Sequence, residues 1–367
     1  MTNRVKEEKN CEERMLYVIR PVCAEPSKTK RLDQVLEFAL EGIPYKKITT
    51  IEDFQNLKGK RLLFAVNLGE SGINLEYYQY LKEMRLHPDL LKNCVGGLIL
   101  DGSSELYTKS VARELVFAAN QAGCTFPGRP LVEGTRVLFN FKVQAKNLNT
   151  DCFSAYLEAS RILVHQIVNY EKKPVKEPKL LVLHASNHKT SNTMTLWNLV
   201  KESLEHCFIQ EISLRNGAIQ DCAGCPYTMC MHYSADSKCY YGGVVVEQVY
   251  PAISECDALV MLCPNYNDAV SANVSASINR LTALFRKQRF YEKKVFALIV
   301  SGYSGGDIVA QQLIGALNMN KSFTLPEKFC MLETANDPGS ILQINGIAER
   351  AEAFAHHIQK CLCEKAT

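Results

Sequence analysis

Short apolar runs alternate with segments of helical period along the chain, and this alternation constrains the fold more than any other feature. The runs are MLYVIR, RLLFAV and GGLIL in the first half, and LLVLHA, ALVMLC and VFALIV in the second. Short runs rich in β-branched and aliphatic residues are typical of buried strands, and the helical segments between them supply the crossover connections. The pattern predicts βαβ units and an α/β fold with parallel sheets.

The segment YEKKPVKEPK, residues 170–179, interrupts this alternation with charges and two prolines, as a linker does. A chain of 367 residues is long enough for two domains, each with its own core. We therefore predict one domain over residues 1–170, a linker over 171–178 and a second domain over 179–367.

The two halves also resemble each other. LDGSSELYTKSVARELVFAAN at 100–120 lies beside VSGYSGGDIVAQQLIGALN at 300–318, so that Gly102 aligns with Gly302 and Ser104 with Ser304. Similarity on this scale indicates a duplicated domain. The alternative is two unrelated α/β domains with a chance likeness.

The composition excludes several classes of protein. The chain has 47% apolar and 22% charged residues and a net charge of +3, which gives no reason to expect nucleic-acid binding. It has neither an apolar run behind a basic start nor 18 consecutive uncharged apolar residues, so we expect no signal peptide and no membrane partner. The fifteen cysteines are odd in number, and with no secretion signal they are expected to be reduced thiols in the cytoplasm.

A polar loop follows the strand LLVLHA. It reads SNHKTSNTMTLWNLV and turns directly into an amphipathic helix. Such a turn offers hydroxyls and backbone N–H groups to an anion at the positive end of the helix. The candidate donors are Ser186, Ser191, Asn192 and Thr193, with His188 or Lys189 as a nearby cation. Helix capping alone is the alternative explanation for these residue types.

Two further loops lie at the carboxyl ends of predicted strands. They are CPNYNDAVSANVSASINRL at 263–281 and SGYSGGD at 301–307. In a doubly wound sheet the ligand lies outside the carboxyl ends of the strands, and in the flavodoxin-like strand order that ligand is FMN. The three loops predict a site in which one binds a phosphate and two enclose a flat ring.

From about Lys179 to Cys361 the chain resembles the iron–sulfur flavoprotein and NAD(P)H-dependent FMN reductase group of flavodoxin-like proteins. ASNHKTSNT is similar to the family's Gly-Ser-x-Arg-x-x-Ser-Asn-Thr phosphate loop. PNYNDAVSANVSASINR is similar to its Pro-Val-Tyr-(Phe/Trp)-Gly-x-Val-Ser stretch and departs from it at Asn265, Asn267 and Asp268. SGYSGG stands where the family has a glycine-rich loop at the flavin.

The resemblance implies a flavodoxin-like doubly wound parallel sheet in two tandem domains, with FMN carrying the chemistry and no catalytic side chain. The N-terminal copy lacks the Ser-Asn-Thr turn and the glycine pair, so it is expected to be degenerate. The residues implied to bind FMN in the C-terminal copy are Ser186, His188, Ser191, Asn192, Thr193, Pro264, Asn265, Tyr266, Asn267, Ser301, Gly302, Tyr303, Gly305 and Gly306.

A cysteine-rich segment follows the second strand of the C-terminal copy, where the family places the ligands of a [4Fe–4S] cluster. The ligands implied here are Cys222, Cys225, Cys230 and Cys239. Their spacing, Cys-x2-Cys-x4-Cys-x8-Cys, is longer than the family's compact pattern. Four convergent thiolates suit a cluster, while structural zinc, metal-free redox thiols and inert packing are alternatives.

These observations predict an FMN-dependent oxidoreductase with a [4Fe–4S] cluster that passes electrons to or from the flavin. NAD(P)H is a possible donor, and the acceptor is a small molecule or a protein. One alternative is a cluster-free NAD(P)H-dependent FMN or quinone reductase, and another is an electron-transfer flavoprotein that serves a partner enzyme. A homo-oligomer or an internal pseudo-dimer is expected.

Overall fold

A computed structural model describes residues 15–25, 29–186, 190–215 and 219–363. The chain forms two compact units, Met1–Glu171 and Lys172–Thr367. Within the described part no helix is both long and apolar enough to cross a membrane.

The N-terminal unit is built on a parallel sheet. Its strands are β1 (Leu16–Ile19), β2 (Tyr45–Ile48), β3 (Arg61–Asn67), β4 (Cys94–Asp101), β5 (Cys124–Thr125) and β6 (Leu131–Gly134). Its helices are α1 (Lys30–Ala39), α2 (Ile51–Phe54), α3 (Leu75–Leu86), α4 (Thr108–Gln121), α5 (Lys142–Leu148) and α6 (Cys152–Val168). The strand order is β2-β1-β3-β4-β5, and β6 also pairs with β4. All pairings are parallel.

The C-terminal unit repeats this plan. Its strands are β7 (Lys179–His184), β8 (Phe208–Ser213), β9 (Ala258–Pro264), β10 (Lys294–Ser301) and β11 (Cys330–Thr334). Its helices are α7 (Asn192–Glu202), α8 (Tyr227–Ala235), α9 (Tyr250–Glu255), α10 (Ala272–Lys287), α11 (Gly306–Leu313) and α12 (Ile347–Cys363). The order β11-β10-β9-β7-β8 is again parallel throughout.

Both sheets have the same strand order when each is counted from its own first strand. In each unit that order is 2-1-3-4-5 along the sheet, which is the flavodoxin-like arrangement. The predicted fold, a flavodoxin-like doubly wound sheet in each of two tandem domains, is confirmed.

Continuous apolar strands form the centre of the C-terminal unit. Strand β10 is buried along its whole length, and β9 is buried up to its last residue. Because parallel strands in such a fold are covered by helices on both faces, they read as uninterrupted apolar runs. Residues of α7 and α12 join β7, β9 and β10 in one apolar cluster.

Trp197 on α7 lies in that cluster with none of its surface exposed. Its indole N–H donates to the Glu211 carboxylate on β8 at 2.9 Å, so the ring is packed and its polar atom is paired. The sequence predicts a packed tryptophan here rather than one stacked on a flavin, and its position in the core agrees.

Replacing Trp197 with Ala should lower the free energy of unfolding by about 3–5 kcal/mol, since a large cavity forms in a close-packed core. The matched control is Phe208→Ala on β8, where the ring is exposed, and it should cost less than about 0.5 kcal/mol. Urea denaturation followed by circular dichroism measures both. Equal losses for the two variants would contradict the packing role of Trp197.

Candidate functional site

The strand order places a crevice at one edge of the C-terminal sheet. Strand β8 lies on one side of β7, whereas β9, β10 and β11 lie on the other. The connections after β7 and β9 therefore run away from each other, and a crevice opens at the carboxyl ends of the two strands. The three loops predicted to bind a cofactor all follow strands that end at this edge.

Ser186, two residues after β7, has a buried hydroxyl. Its exposed fraction is 2%, and its Oγ has no hydrogen-bond partner among the described residues. A buried hydroxyl without a partner is costly, and an oxygen of a bound anion would satisfy it. His188, predicted to contact the same anion, lies outside the described residues.

The N-terminus of α7 follows directly. The Ser191 side chain caps the helix by accepting the Met194 N–H at 3.3 Å, and Thr193 in the first turn is buried. The first N–H groups of a helix have no partner within the helix and attract negative charge. Ser186 and the start of this 11-residue helix are therefore suited to a phosphate.

The Asn192 side chain is bonded to the loop after β11. Its amide N–H groups donate to the carbonyls of Ala335 at 3.1 Å and Asp337 at 2.9 Å, and its Oδ1 accepts the Gly339 N–H at 2.9 Å. The side chain is used to hold the loop after β11 against the start of α7. These side-chain bonds lie within the chain, and a contact between Asn192 and the phosphate stays a prediction.

Replacing Asn192 with Ala should lower the free energy of unfolding by about 1–3 kcal/mol, because two partly buried loop carbonyls and the Gly339 N–H lose their partners. The loop after β11 should also become more sensitive to proteolysis. Asn198→Ala, at an exposed position on the same helix, is the control and should change little. Thermal denaturation and limited proteolysis test both variants. If the Asn192→Ala chain resists protease as well as the control does, Asn192 does not hold the loop after β11.

The loop after β9 makes a tight turn over Asn267 and Asp268. Both have positive φ, 51° and 55°, and the backbones of Tyr266 and Ala269 exchange N–H···O=C bonds across the turn at 3.3 and 3.1 Å. Two central residues with positive φ define a type I′ turn, which Asn and Asp tolerate better than other side chains. The departures from the family pattern at these positions therefore have a local reason. Tyr266 is 59% exposed beside the turn.

Asn265 joins this loop to the one after β10. Its Nδ2 donates to the Ser304 carbonyl at 2.8 Å and to Ser301 Oγ at 3.3 Å. Its Oδ1 is buried and accepts no hydrogen bond from the described residues. Its Nδ2 also donates to Asp268 Oδ1 at 3.2 Å, and Gly305, with φ of 82°, leaves room for that carboxylate, since a Cβ there would lie 2.0 Å from Asp268 Oδ1. The two loops are thereby fixed to each other, and one amide oxygen is left for a ligand.

The other predicted residues of these loops lie around the same edge. Pro264 ends β9, and Gly306 begins α11. Tyr303 is 81% exposed and accepts from Asn336 Nδ2 at 3.3 Å. Gly302 permits this approach, because a Cβ there would lie 2.9 Å from Asn336 Oδ1.

Sequence reasoning missed Gln312 on α11. Its Nε2 donates to the Asp268 carbonyl at 2.8 Å, and its Oε1 accepts the Val270 N–H at 3.1 Å. The side chain thus holds the turn after β9 from outside. Its position in an ordinary helical run gave no signal, because the contact joins residues far apart in the chain.

The cysteine segment does not form the predicted ligand set. Cys222 is exposed, and Cys225, Cys230 and Cys239 are partly buried. Within the described residues no three His, Cys, Asp or Glu side chains form a group that could hold a metal ion. The predicted [4Fe–4S] cluster therefore has no support in the described part of the chain.

Arg280 on α10 fixes both ends of that segment. The guanidinium is 2% exposed and donates to the carbonyls of Gln220 at 3.3 Å and Gly242 at 2.6 Å, which flank the four cysteines. The neighbouring Asn279 donates to the Asp221 carboxylate at 3.0 Å. The segment is therefore anchored to the helix that follows the loop after β9.

Two further cysteines, one on β9 and one just before it, are core residues. Cys256 and Cys263 are buried, and burial raises the pKa of each thiol to about 12. Both are therefore protonated and shielded at neutral pH.

Alkylation should separate the two kinds of cysteine. With iodoacetamide at pH 8, Cys222 should be modified within minutes, since it is exposed. Cys256 and Cys263 should stay unmodified until the unit unfolds, because the thiolate is the reactive form. Peptide mapping by mass spectrometry measures the order. Modification of Cys263 in the native chain at the rate of Cys222 would be inconsistent with this assignment.

Comparison with known proteins finds a family match in the C-terminal unit. Residues 178–337 match the NADPH-dependent FMN reductase family, which covers less than half of the 367 residues. The predicted resemblance of the C-terminal half to NAD(P)H-dependent FMN reductases is confirmed, and this is a family of flavin-dependent oxidoreductases, the enzyme class predicted. No curated protein matches the chain.

Solved structures with a similar fold match about half of this chain. A putative quinone reductase from Klebsiella pneumoniae is 13% identical with a TM-score of 0.38, over 51% of this chain and 86% of that one. NAD(P)H:quinone oxidoreductase from Methanothermobacter marburgensis is 13% identical with a TM-score of 0.37, over 52% and 97%. Trp repressor binding protein from Bacillus subtilis is 19% identical with a TM-score of 0.34, over 48% and 98%. Likenesses at this level carry no argument about substrate.

Proposed function

We propose that this chain is an FMN-dependent oxidoreductase that takes electrons from NAD(P)H and passes them to a small-molecule acceptor such as a quinone. The observation that carries the proposal is that the family match and the three loops of the crevice lie in the same part of the chain. The residues that match the reductase family, 178–337, contain the loops after β7, β9 and β10 that meet at the carboxyl edge of the sheet.

The unpaired polar atoms at this edge fit FMN. Ser186 Oγ and the N-terminus of α7 would hold the phosphate, while the Asn265 Oδ1 would accept an N–H from the isoalloxazine ring. Tyr266 and Tyr303 offer exposed rings beside the same loops, and aromatic side chains favour stacking or edge contacts with a flat ring. When bound, FMN supplies the hydride and electron transfer.

The chain's own contribution is positioning. Asn265 and Gln312 fix the turn after β9, and Asn192 fixes the loop after β11, so the walls of the crevice are held before any ligand binds. A site whose walls are already ordered loses less entropy on binding. We assign no side chain as general acid or base.

The cluster-free reductase is preferred over the cluster-bearing one. The four cysteines of segment 222–239 do not gather into a metal-ligand group in the described chain. The Arg280 guanidinium also donates to a carbonyl at each end of the segment and so fixes it in this arrangement. Iron analysis of anaerobically purified protein separates the two readings, because a [4Fe–4S] protein contains about four irons per chain. A cytoplasmic location and a homo-oligomer or internal pseudo-dimer stay predictions.

The phosphate contact is tested with Ser186→Ala. A hydrogen bond to a charged group contributes about 1.5–3 kcal/mol, so the variant should bind FMN about tenfold more weakly or worse. Ser203→Ala, at the opposite end of α7, is the matched control and should bind FMN as the parent chain does. Quenching of FMN fluorescence on titration measures both affinities. Equal affinities for the two variants would remove Ser186 from the site.

The activity is tested on the FMN-loaded chain with NADPH or NADH and 1,4-benzoquinone. We expect steady-state oxidation of the nicotinamide that requires both FMN and quinone. Flavin that is reduced once and then transfers electrons only to a protein would favour the electron-transfer flavoprotein instead. An FMN-loaded chain that oxidises neither nicotinamide would refute the proposed donor.

A further inference from the structure

The N-terminal unit has a cavity of about 810 Å³ that the proposed flavin chemistry does not use. It opens at the start of α1 and at the loops after β4 and β6, where Lys30, Arg31, Asp101, Ser103, Arg136 and Phe153 line it. Cavities that bind small molecules have volumes of about 300–1,000 Å³. The position is the carboxyl edge of a flavodoxin-like sheet, next to the reversal of strand order between β1 and β3.

The floor of the cavity is a closed network of polar groups. Arg31 binds the Asp101 carboxylate through Nε and Nη2, both at 2.9 Å, and Tyr156 donates to the same carboxylate at 3.1 Å. Arg31 also donates to the carbonyls of Gly134 and Arg136. Asp101 is therefore neutralised by its partner, and Arg31 is fully used in shaping the floor.

Arg31 does in this unit what Asn192 does in the other. Each lies in the first turn of the helix after the first strand, and each donates to carbonyls of the loop after the last strand of the sheet. The N-terminal cavity therefore has fixed walls. It has the fixed loops of a ligand site, although the unit lacks the Ser-Asn-Thr turn.

Two other cations face the opening. Lys30 is exposed in the first turn of α1, where acidic residues are favoured and a cation adds to the positive end of the helix dipole. Arg136 approaches Glu105 only to 3.8 Å, and 70% of its side chain is exposed. The lining carboxylates are Asp101, which is paired with Arg31, and Glu70. Lys30 and Arg136 therefore lie at the mouth of the cavity as two exposed cations, with the Glu70 carboxylate on the same lining.

The same residues disfavour FMN and favour another phosphate ester. Asp101 stands where the C-terminal unit has Ser301, since Gly102 aligns with Gly302, and its ion pair occupies the floor. The half-buried ring of Phe153 gives one apolar wall. A flat ring on this wall and a phosphate near Lys30 and Arg136 would satisfy both features.

We propose that the N-terminal unit binds an aromatic phosphomonoester of mononucleotide size, at a site separate from FMN. Lys30 and Arg136 bind the phosphate, and Phe153 contacts the ring.

Calorimetric titration of the FMN-loaded full chain tests this site. The probes are adenosine 5′-monophosphate, inorganic phosphate and adenosine. We expect the nucleotide to bind more tightly than either part alone, and its affinity to fall with added salt, because two cations hold the phosphate. The flavin absorbance reports that the FMN site stays filled, so failure here is distinguishable from failure of the proposed activity.

The double variant Lys30→Gln, Arg136→Gln should weaken nucleotide binding at least tenfold and leave FMN content unchanged. The control Lys58→Gln, Lys82→Gln removes the same charge from exposed positions that do not line the cavity and should bind like the parent chain. Circular dichroism verifies that both variants fold. No binding of the nucleotide to the parent chain, or an equal loss in both double variants, would overturn the proposal.

Discussion

The candidate site depends on one constraint, the reversal of connection direction between β7 and β9 in a wholly parallel sheet. Parallel pairing places the carboxyl ends of the strands at one edge, so the loops that follow them must meet there. The reversal then keeps the loops after β7 and β9 from covering each other. In another strand order, Ser186 and Asn265 would not lie beside one shared crevice.

The loops at this edge are rigid because amide side chains bind them to helices. Asn192 and Gln312 each bind backbone groups of a loop from the first or last turns of α7 and α11. These bonds pair loop carbonyls with side-chain donors and so restrict the loops. The polar atoms that remain unpaired, Ser186 Oγ and Asn265 Oδ1, are then the natural contacts for a bound cofactor.

The two units have the same strand order but different polar groups at the carboxyl edge of the sheet. Arg31 with Asp101 in the N-terminal unit and Asn192 in the C-terminal unit hold equivalent loops. The ion pair places two opposite charges that balance each other on the floor of its cavity, whereas the Asn192 amide is uncharged. The same duplicated sheet can therefore serve different ligands without a change of strand order.

The sequence predicts the sheets and the loops because both depend on local pattern. Continuous apolar runs identified β7, β9 and β10, and polar turns after them identified Ser186, Tyr266 and Tyr303 as residues at the edge. It does not predict the roles of Asn192, Gln312 or Arg280, since each bonds residues distant in the chain. The sequence also does not decide the role of the cysteine segment, because spacing alone does not show whether four thiols converge.

Hydrogen–deuterium exchange of the full chain with and without FMN tests the central claim most directly. We predict that FMN slows exchange at residues 190–195, 264–271 and 301–306, which follow three strands of the C-terminal sheet, and leaves the N-terminal unit unchanged. Protection confined to the N-terminal unit, or no protection at saturating FMN, would contradict the account.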